Sequence, residues 1–294
     1  MTKWACALLS YNHPGITEKC IASLLRHTNS SLFLSHSGTE PKNVTYLQQK
    51  CPQLEHLVES EKRGFSGGAN SLLERAFQEA PWVLFLTNDT ELLEPVPAKL
   101  FENLGPGLYA PLLYRRSSGR VDSCGGVLNL RTWSLRHLND PKEKHICPKN
   151  EAFYVPGTAF LLDRSTWQRL GGFRETYHTY WEDVEFSLRA QRAGVRLAPL
   201  SEIRLRHGIG KTCHQNPLYT LYFYQGNRTR LLRQEFAFTP RTWIVLCHFL
   251  GEMFHQTFRL WRSNRNEDLK LLWRGLWDGW RGQDFQKSFK EKRH

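Results

Sequence analysis

The sequence has no Cys-x-x-Cys pair, no apolar run of bilayer length and too few acidic residues to balance its basic ones. The seven cysteines, Cys6, Cys20, Cys51, Cys124, Cys147, Cys213 and Cys247, are scattered and odd in number. That excludes a simple disulfide framework and fits reduced thiols in the cytoplasm, most of them small buried hydrophobes. The opening Met1-Thr2-Lys3 and the short run Trp4 to Leu9 lack the length and cleavage site of a signal peptide, so they read as a first strand. The most apolar later stretch, Trp243 to Phe258, is interrupted by His248, Glu252, His255 and Gln256. It falls short of the roughly 20 apolar residues a spanning helix needs, and no transmembrane helix is expected.

Twenty-eight Asp and Glu face forty Lys and Arg, a net charge of +12. Such a surface attracts phosphates, nucleic acid or an anionic membrane. No helix-turn-helix, zinc or RNA-recognition signature accompanies the charge, so nucleic acid is not expected as a partner. No internal repeat is evident. At 294 residues the chain can bury a sizeable core, as one large α/β domain or a domain with an appendage.

What is present is an alternation. Apolar runs at Trp4 to Leu9, Ser31 to Leu34, His56 to Val58 and Trp82 to Leu86 alternate with helical patterns at Thr17 to Arg26, Tyr46 to Lys50 and Ala69 to Gln78. Strands and helices of this length imply βαβ units and a mainly parallel sheet. Ligands sit at the carboxyl ends of such strands, which directs attention to the loops after Leu9, Leu34, Val58 and Leu86. From about Gly105 to Pro148 the chain is punctuated by Pro and Gly, a mixed region before the apolar run Phe153 to Leu162. A helix over Val184 to Ala193 stops at Gly194.

Four constellations carry possible chemistry, each with a plainer reading beside it. Thr87-Asn88-Asp89-Thr90 follows a strand, where Asp89 is placed to hold a divalent cation against a diphosphate; the same residues also suit a turn capping a helix. Lys62-Arg63-Gly64-Phe65-Ser66-Gly67-Gly68-Ala69-Asn70 is a Gly-rich loop before a helix, suited to an anion or simply to a tight entry into a packed helix. It lacks the Lys-Ser/Thr ending of a P-loop. Glu182-Asp183 opens a helix among Tyr177, Tyr180 and Trp181, either as dipole-favoured caps or as a partly desolvated base. His207 precedes Gly208-Ile209-Gly210 and is either structural or a partner of Asp89 in coordination.

In this order the pieces resemble the inverting family 2 glycosyltransferases of the GT-A fold, particularly the bacterial rhamnosyltransferase-like branch. Leu9-Ser10-Tyr11-Asn12 looks like the family's opening motif, Gly64 to Asn70 its Gly-rich loop and Asn88-Asp89-Thr90 its metal motif. Gly157-Thr158-Ala159 and Gly171-Gly172-Phe173 resemble its acceptor-side glycines, Glu182-Asp183 its Glu-Asp motif and His207 its late histidine. The resemblance covers most of the chain.

It implies a GT-A, Rossmann-like α/β domain over residues 1–240, divided into a nucleotide-binding half (1–104) and an acceptor and catalytic half (105–240). Residues 241–294 would form a basic, Trp-rich helical extension. Asp183 would be the general base with Glu182 orienting it, and Asp89 and His207 would hold Mg²⁺ or Mn²⁺. Ser10, Tyr11, Asn12, Ser35, Arg63, Gly64, Gly68, Asn70 and Asn88 would line the site of a dTDP- or UDP-linked sugar. Gly157 and Trp181 would border the acceptor, a saccharide or lipid-linked saccharide, with rhamnose as the sugar transferred. The place implied is the cytoplasm or the inner face of its membrane.

Three departures from the family pattern stand out. Ser35 occupies a position that is usually acidic, which removes a common reader of the base. Thr87 replaces an acidic or amide residue before Asp89. Gly226-Asn227-Arg228 stands where an Arg-Asn pair is common, moving a phosphate contact to Arg228 or losing it. These departures motivate a second reading, a GT-A protein that kept the fold as a carbohydrate-binding scaffold. Retention of Asp89, Glu182, Asp183 and His207 together argues for the enzyme.

In the last block Leu246, Leu250, Met253, Thr257 and Trp261 fall near helical spacing with Arg259, Arg262, Arg265 and Lys270 interleaved. Trp273, Trp277 and Trp280 follow. Such helices suit the headgroup region of an anionic leaflet, or a hairpin packed on the catalytic domain with a solvated basic face.

Overall fold

The computed structural model describes residues 3–59, 63–97, 99–141, 150–208, 217–235 and 240–283. Lys62, Ile209, Gly210, Cys147, Pro148 and Cys213, singled out above, lie outside them. The central strands β1 (Trp4–Ser10) and β4 (Trp82–Thr87) are apolar on both faces, as strands covered on both sides must be. β2 (Ser31–His36) and β3 (Glu55–Val58) extend this half in parallel, and α1 (Pro14–His27), α2 (Pro41–Lys50) and α3 (Gly64–Glu79) make the crossovers. Alternation splits the residues of β1 between layers. Ala5, Ala7 and Leu9 pack towards α3, while Cys6 and Leu8 pack with Cys20, Ile21 and Leu24 of α1.

Beyond β4 the sheet is mixed. A turn at Asn88-Asp89 leads into β5 (Thr90–Leu92), and α4 (Leu100–Asn103) follows. The next elements are β6 (Leu108–Arg115), β7 (Val121–Ser123), β8 (Gly126–Asn129), β9 (Ser134–His137), β10 (Glu151–Tyr154) and β11 (Ala159–Asp163). After α5 (Arg164–Leu170) and α6 (Glu182–Arg192) comes β12 (Leu197–His207). The main sheet runs β3-β2-β1-β4-β11-β6-β12-β5, with β7 on β6, and a small second sheet runs β10-β8-β9. β11 is antiparallel to both its neighbours, β4 and β6. The Pro- and Gly-rich region is therefore strands of both sheets, and the apolar run Phe153 to Leu162 is two strands separated by Val155 to Thr158.

Two local expectations are corrected. The Gly-rich segment is no free loop, because Gly64 already begins α3. Asn88-Asp89 caps no helix; it is the turn by which the chain leaves β4 for the far edge of the sheet.

The last helices are α7 (Pro217–Gln234), α8 (Pro240–Arg262) and α9 (Asn266–Arg281). They share a third apolar core with β8, β10 and α6, where Val245, Phe249, Met253, Leu260, Leu272 and Leu276 meet Tyr177, Trp181, Val184 and Leu231. α9 lies against α7 through glycines: a Cβ on Gly275 would stand 2.6 Å from the Tyr222 carbonyl oxygen. This contact sits beside Gly226, the first residue of the altered Arg-Asn motif. The row Leu246, Leu250, Met253, Thr257, Trp261 mixes two faces, since Met253 is buried while Leu250 and Trp261 are exposed. Among the described residues no helix is long and apolar enough to cross a membrane.

Candidate functional site

The path of β5 decides what surrounds Asp89. β5 crosses to pair with β12, with Thr90 opposite His207, so the turn residue Asp89 meets the last residue of β12. His207 Nε2 lies 3.2 Å from Asp89 Oδ2, and the Gly208 amide donates to the Asp89 carbonyl at 2.8 Å. Thr87 Oγ1 donates to Asp89 Oδ1 at 2.7 Å. Thr87, noted above as a departure from the family pattern, thus fixes the orientation of the Asp89 carboxylate. Burial pushes the Asp89 carboxyl up, but His207 and Thr87 outweigh it and hold it below the usual carboxylate range.

On the other side of the imidazole, Nδ1 of His207 lies 3.2 Å from Asp122 Oδ2. Burial lowers the affinity of His207 for its proton, and the two flanking carboxylates more than restore it. Asp122 is in turn bound by Arg115, Nε to Oδ1 at 2.7 Å. A divalent cation fits this set: one carboxylate and one imidazole whose far nitrogen is turned by a second carboxylate. Among the described residues no group of three His, Cys, Asp or Glu is arranged to hold a metal ion. Two protein ligands leave the other positions to a diphosphate and water.

Asp183 is built from the other direction. Trp181, in the left-handed region at φ 70°, sets the start of α6 so that Glu182 and Asp183 fall in its first turn. His178 and Tyr180 also have positive φ, so 178–181 is a strained segment. The side-chain amide of Asn227 holds it, lying 2.6, 2.8 and 2.9 Å from the carbonyl oxygens of Tyr177, Thr179 and Tyr180. Asp183 Oδ2 accepts from the Gly157 amide at 2.9 Å and Oδ1 from its neighbour Val184 at 2.8 Å. Burial nonetheless raises the Asp183 carboxyl above its ordinary value. Burial first, and Asp183 second, push Glu182 well up. Glu182 Oε2 has no hydrogen-bond partner, so the backbone amides of Gly157 and Val184, and not Glu182, orient Asp183.

One segment connects the two carboxylates. Thr87, which binds Asp89, donates its amide to the Thr158 carbonyl at 2.9 Å, and the preceding Gly157 binds Asp183. Asp89 and Asp183 flank the Gly157-Thr158 stretch at the end of β4. Two clefts of about 370 and 360 Å³ open elsewhere, along β5, β6 and β12 and beside α1. Four of the arginines lining them are matched by acids: Arg116 and Arg206 reach Glu91, Arg204 reaches Glu94 and Arg115 reaches Asp122.

The residues expected on the nucleotide side fall into two groups. Ser10, Asn12 and Asn88 come together at the end of β1. Ser10 Oγ is 3.0 Å from Thr17 Oγ1, and Asn88 Nδ2 donates to that same oxygen at 3.0 Å. Asn12 takes the Glu40 amide on Oδ1, and its neighbour Tyr11 is exposed. Ser35 is buried, and its Oγ has no partner. The second group is committed elsewhere. Arg63 pairs with Glu175 and donates to Ser71, and Asn70 ties down the Phe173 amide and carbonyl. A Cβ on Gly64 would run into His178, and one on Gly68 would stand 2.6 Å from Ser37 Cβ. These glycines let the start of α3 pack against 173–178 and the end of β2, which is the tight-entry reading.

Arg228 offers no phosphate contact: it is 3% exposed and bound to Glu252 and to the Trp133 and Thr132 carbonyls. Trp181, expected to border the acceptor, is 2% exposed and packs on Tyr224, so it is a core residue and presents no open face to a ligand. Asp122 was not singled out in the sequence, and Asn227 was named there only as part of Gly226-Asn227-Arg228, for a phosphate contact and not for holding 178–181. Asp122 sits in a short strand with no motif around it.

No family model matches the chain. Over 214 residues, 67% of this chain, it is 25% identical to the O-antigen biosynthesis protein RfbC of Myxococcus xanthus, of whose length it spans 16%. The structure of GalNAc-T7 with UDP, GalNAc and Mn²⁺ superposes on 84% of the chain with a TM-score of 0.58 and 13% identity, over 54% of that protein. TarS residues 1–349 from S. aureus superpose on 86% with a TM-score of 0.54 and 14% identity, over 72% of that chain. The shared architecture is the GT-A fold.

Proposed function

We propose that this chain, a protein of the GT-A fold, is a metal-dependent glycosyltransferase that moves a sugar from a nucleoside diphosphate to an acceptor hydroxyl. The observation that carries the reading is the pair of carboxylates on either side of Gly157-Thr158. Asp89 is held ionised beside His207, and Asp183 is raised and oriented by two amides. A carboxylate kept anionic suits a cation, and one whose proton affinity is raised suits proton removal.

Asp89 and His207 would hold the divalent cation, Mg²⁺ or Mn²⁺, with Thr87 and Asp122 fixing their orientations. Bound there, the cation supplies charge neutralisation to the departing diphosphate. Asp183 takes the proton of the acceptor hydroxyl as the new bond forms, with its Oδ2 pointed by Gly157. Attack opposite the diphosphate would invert the anomeric carbon. Ser10, Tyr11, Asn12 and Asn88 would face the nucleotide. Because Ser35 replaces an acidic residue, the choice between dTDP and UDP would rest on other contacts, and rhamnose is the sugar proposed.

A growing surface glycan or lipid-linked saccharide is the proposed acceptor, and the name of the Myxococcus relative supports that choice. Among the described residues the Cys6, Cys20, Cys51 and Cys247 thiols form no disulfide, which fits a cytoplasmic site of action. The boundaries proposed are 1–240 for the catalytic domain and 241–294 for the helical extension.

The test is a panel of dTDP-, UDP- and GDP-sugars with and without Mg²⁺ or Mn²⁺, read by ligand-observed NMR and by slow donor hydrolysis. One donor should bind at least about tenfold tighter with metal. No metal-dependent binding by any donor would leave the scaffold reading in its place.

A further inference from the structure

The helical extension has two apolar faces where one would suffice for packing. On α8, Val245, Phe249, Met253 and Leu260 turn inward to the third core. A second row, Trp243, Leu250, Phe254, Phe258 and Trp261, spaced by seven, four, four and three residues, lies on the other side and is exposed, Phe254 to 73% and Trp261 to 61%. Over eighteen residues such a row runs about 27 Å along the helix. α9 repeats the arrangement: Leu272 and Leu276 are buried, and Trp273, Trp277 and Trp280 are exposed. Because both helices bury their opposite faces in one core, both aromatic rows point away from it.

The charges beside these rows are one-sided. Arg259, Arg262, Arg265, Lys270 and Arg281 are exposed. Of the acids on the same helices, Glu252 is bound to Arg228 and Asp278 to the Tyr222 hydroxyl inside the fold, and Asp268 and Glu267 pair with Arg265 and Lys270, which leaves Arg259, Arg262 and Arg281 as exposed cations with no ion pair among the described residues. The sequence that follows adds Lys287, Lys290, Lys292 and Arg293 against Asp284 and Glu291.

We propose that the outward face of α8 and α9 docks on an anionic lipid bilayer, its Trp and Phe side chains at headgroup depth and its arginines on lipid phosphates. Trp and Phe flanked by long basic side chains are the composition that lies stably in that layer. Neither helix is apolar enough to cross, so the helices lie on the surface. A second copy of this chain is a poorer occupant, because it would bring +12 against +12. None of the exposed residues of this face is hydrogen-bonded or ion-paired to Asp89, Asp183 or His207, so donor binding tests the sugar-transfer reading separately.

The experiment is flotation of the full chain with vesicles of phosphatidylcholine alone and of phosphatidylcholine mixed with phosphatidylglycerol, at low and high salt. The parental protein should float with the mixed vesicles and be released by salt. Phe254→Gln with Trp261→Gln should weaken binding at least about tenfold while donor affinity and Tm stay unchanged. Arg259→Gln with Arg262→Gln, which removes no apolar surface, should weaken binding and flatten its salt dependence. Brominated lipid should quench tryptophan fluorescence in the bound state. A protein that stays in solution with mixed vesicles at low salt overturns the proposal. So does a folded Phe254→Gln, Trp261→Gln variant that floats as the parent does, or a dimer by sedimentation that the same substitutions abolish.

Discussion

The backbone amide of Gly157 donates to Oδ2 of Asp183 at 2.9 Å, and together with the Val184 amide on Oδ1 it fixes the orientation of the carboxylate. There is little room for anything larger at that glycine, where a Cβ would stand 3.0 Å from Phe65 Cζ and 3.5 Å from Asp183 Cβ. Asp183→Asn keeps the side-chain shape but removes the base. Turnover should fall by about 10² to 10⁴, with donor affinity within about twofold of the parent. Because burial raises the Asp183 carboxyl, the acid limb of kcat/KM should lie above the ordinary carboxylate range in the parent and vanish in the variant. A variant with near-parental turnover would remove Asp183 from the mechanism.

Asp122 reaches the proposed metal only through His207. Replacing it by Asn should therefore leave the two ligands in place but loosen the imidazole, weakening Mn²⁺ binding by about 10- to 100-fold. Calorimetric titration with Mn²⁺ reads this without any turnover, and the nucleotide alone should bind as before. Asp89→Ala should go further and abolish the difference in nucleotide affinity with and without chelator. Equal Mn²⁺ affinity in Asp122→Asn and parent would show the contact to be structural only.

Glu182 is a buried acid with an unpartnered oxygen, pushed well up by burial and by Asp183. Its folded-state proton affinity exceeds its unfolded one, so its stabilising contribution is complete at acid pH and is lost as pH rises through the folded value. Glu182→Gln imitates the protonated form at all pH values. The variant should melt at the same temperature as the parent near pH 4 and above it near pH 8. A lower Tm for the variant at pH 8 would mean that Glu182 is ionised in the folded chain and held by a cation.

The parallel half of the sheet was legible because each strand is an apolar run between helical periods, and the carboxyl ends of β1 and β4 follow from that alone. Asp89 and Asp183 were legible as residue types in motifs. Their support was not: Asp122 meets His207 only because β7 pairs with β6 while β12 runs on the other side of β6, a register no local pattern encodes. The Gly-rich segment misled for a related reason. Glycines that admit an anion and glycines that admit a neighbouring backbone look alike in sequence, and here His178 and Ser37 fill the space. In α8 periodicity correctly indicated a helix, but apolar residues on two faces blurred which one is buried.

Gly226 and Gly279 mark where α7 and α9 touch, and a Cβ on Gly279 would land on the Gly226 carbonyl. Gly279→Ala should cost about 1 to 3 kcal/mol through overpacking, even though alanine is the better helix former. Gly251, in the middle of α8, meets nothing within 4 Å where a Cβ would stand. Gly251→Ala should accordingly stabilise by roughly 0.5 to 1 kcal/mol, the helical preference acting alone. Opposite signs in thermal melts of the two variants would establish the glycine contact as the joint between the extension and α7. If both variants gain stability, α9 does not press on α7 in solution.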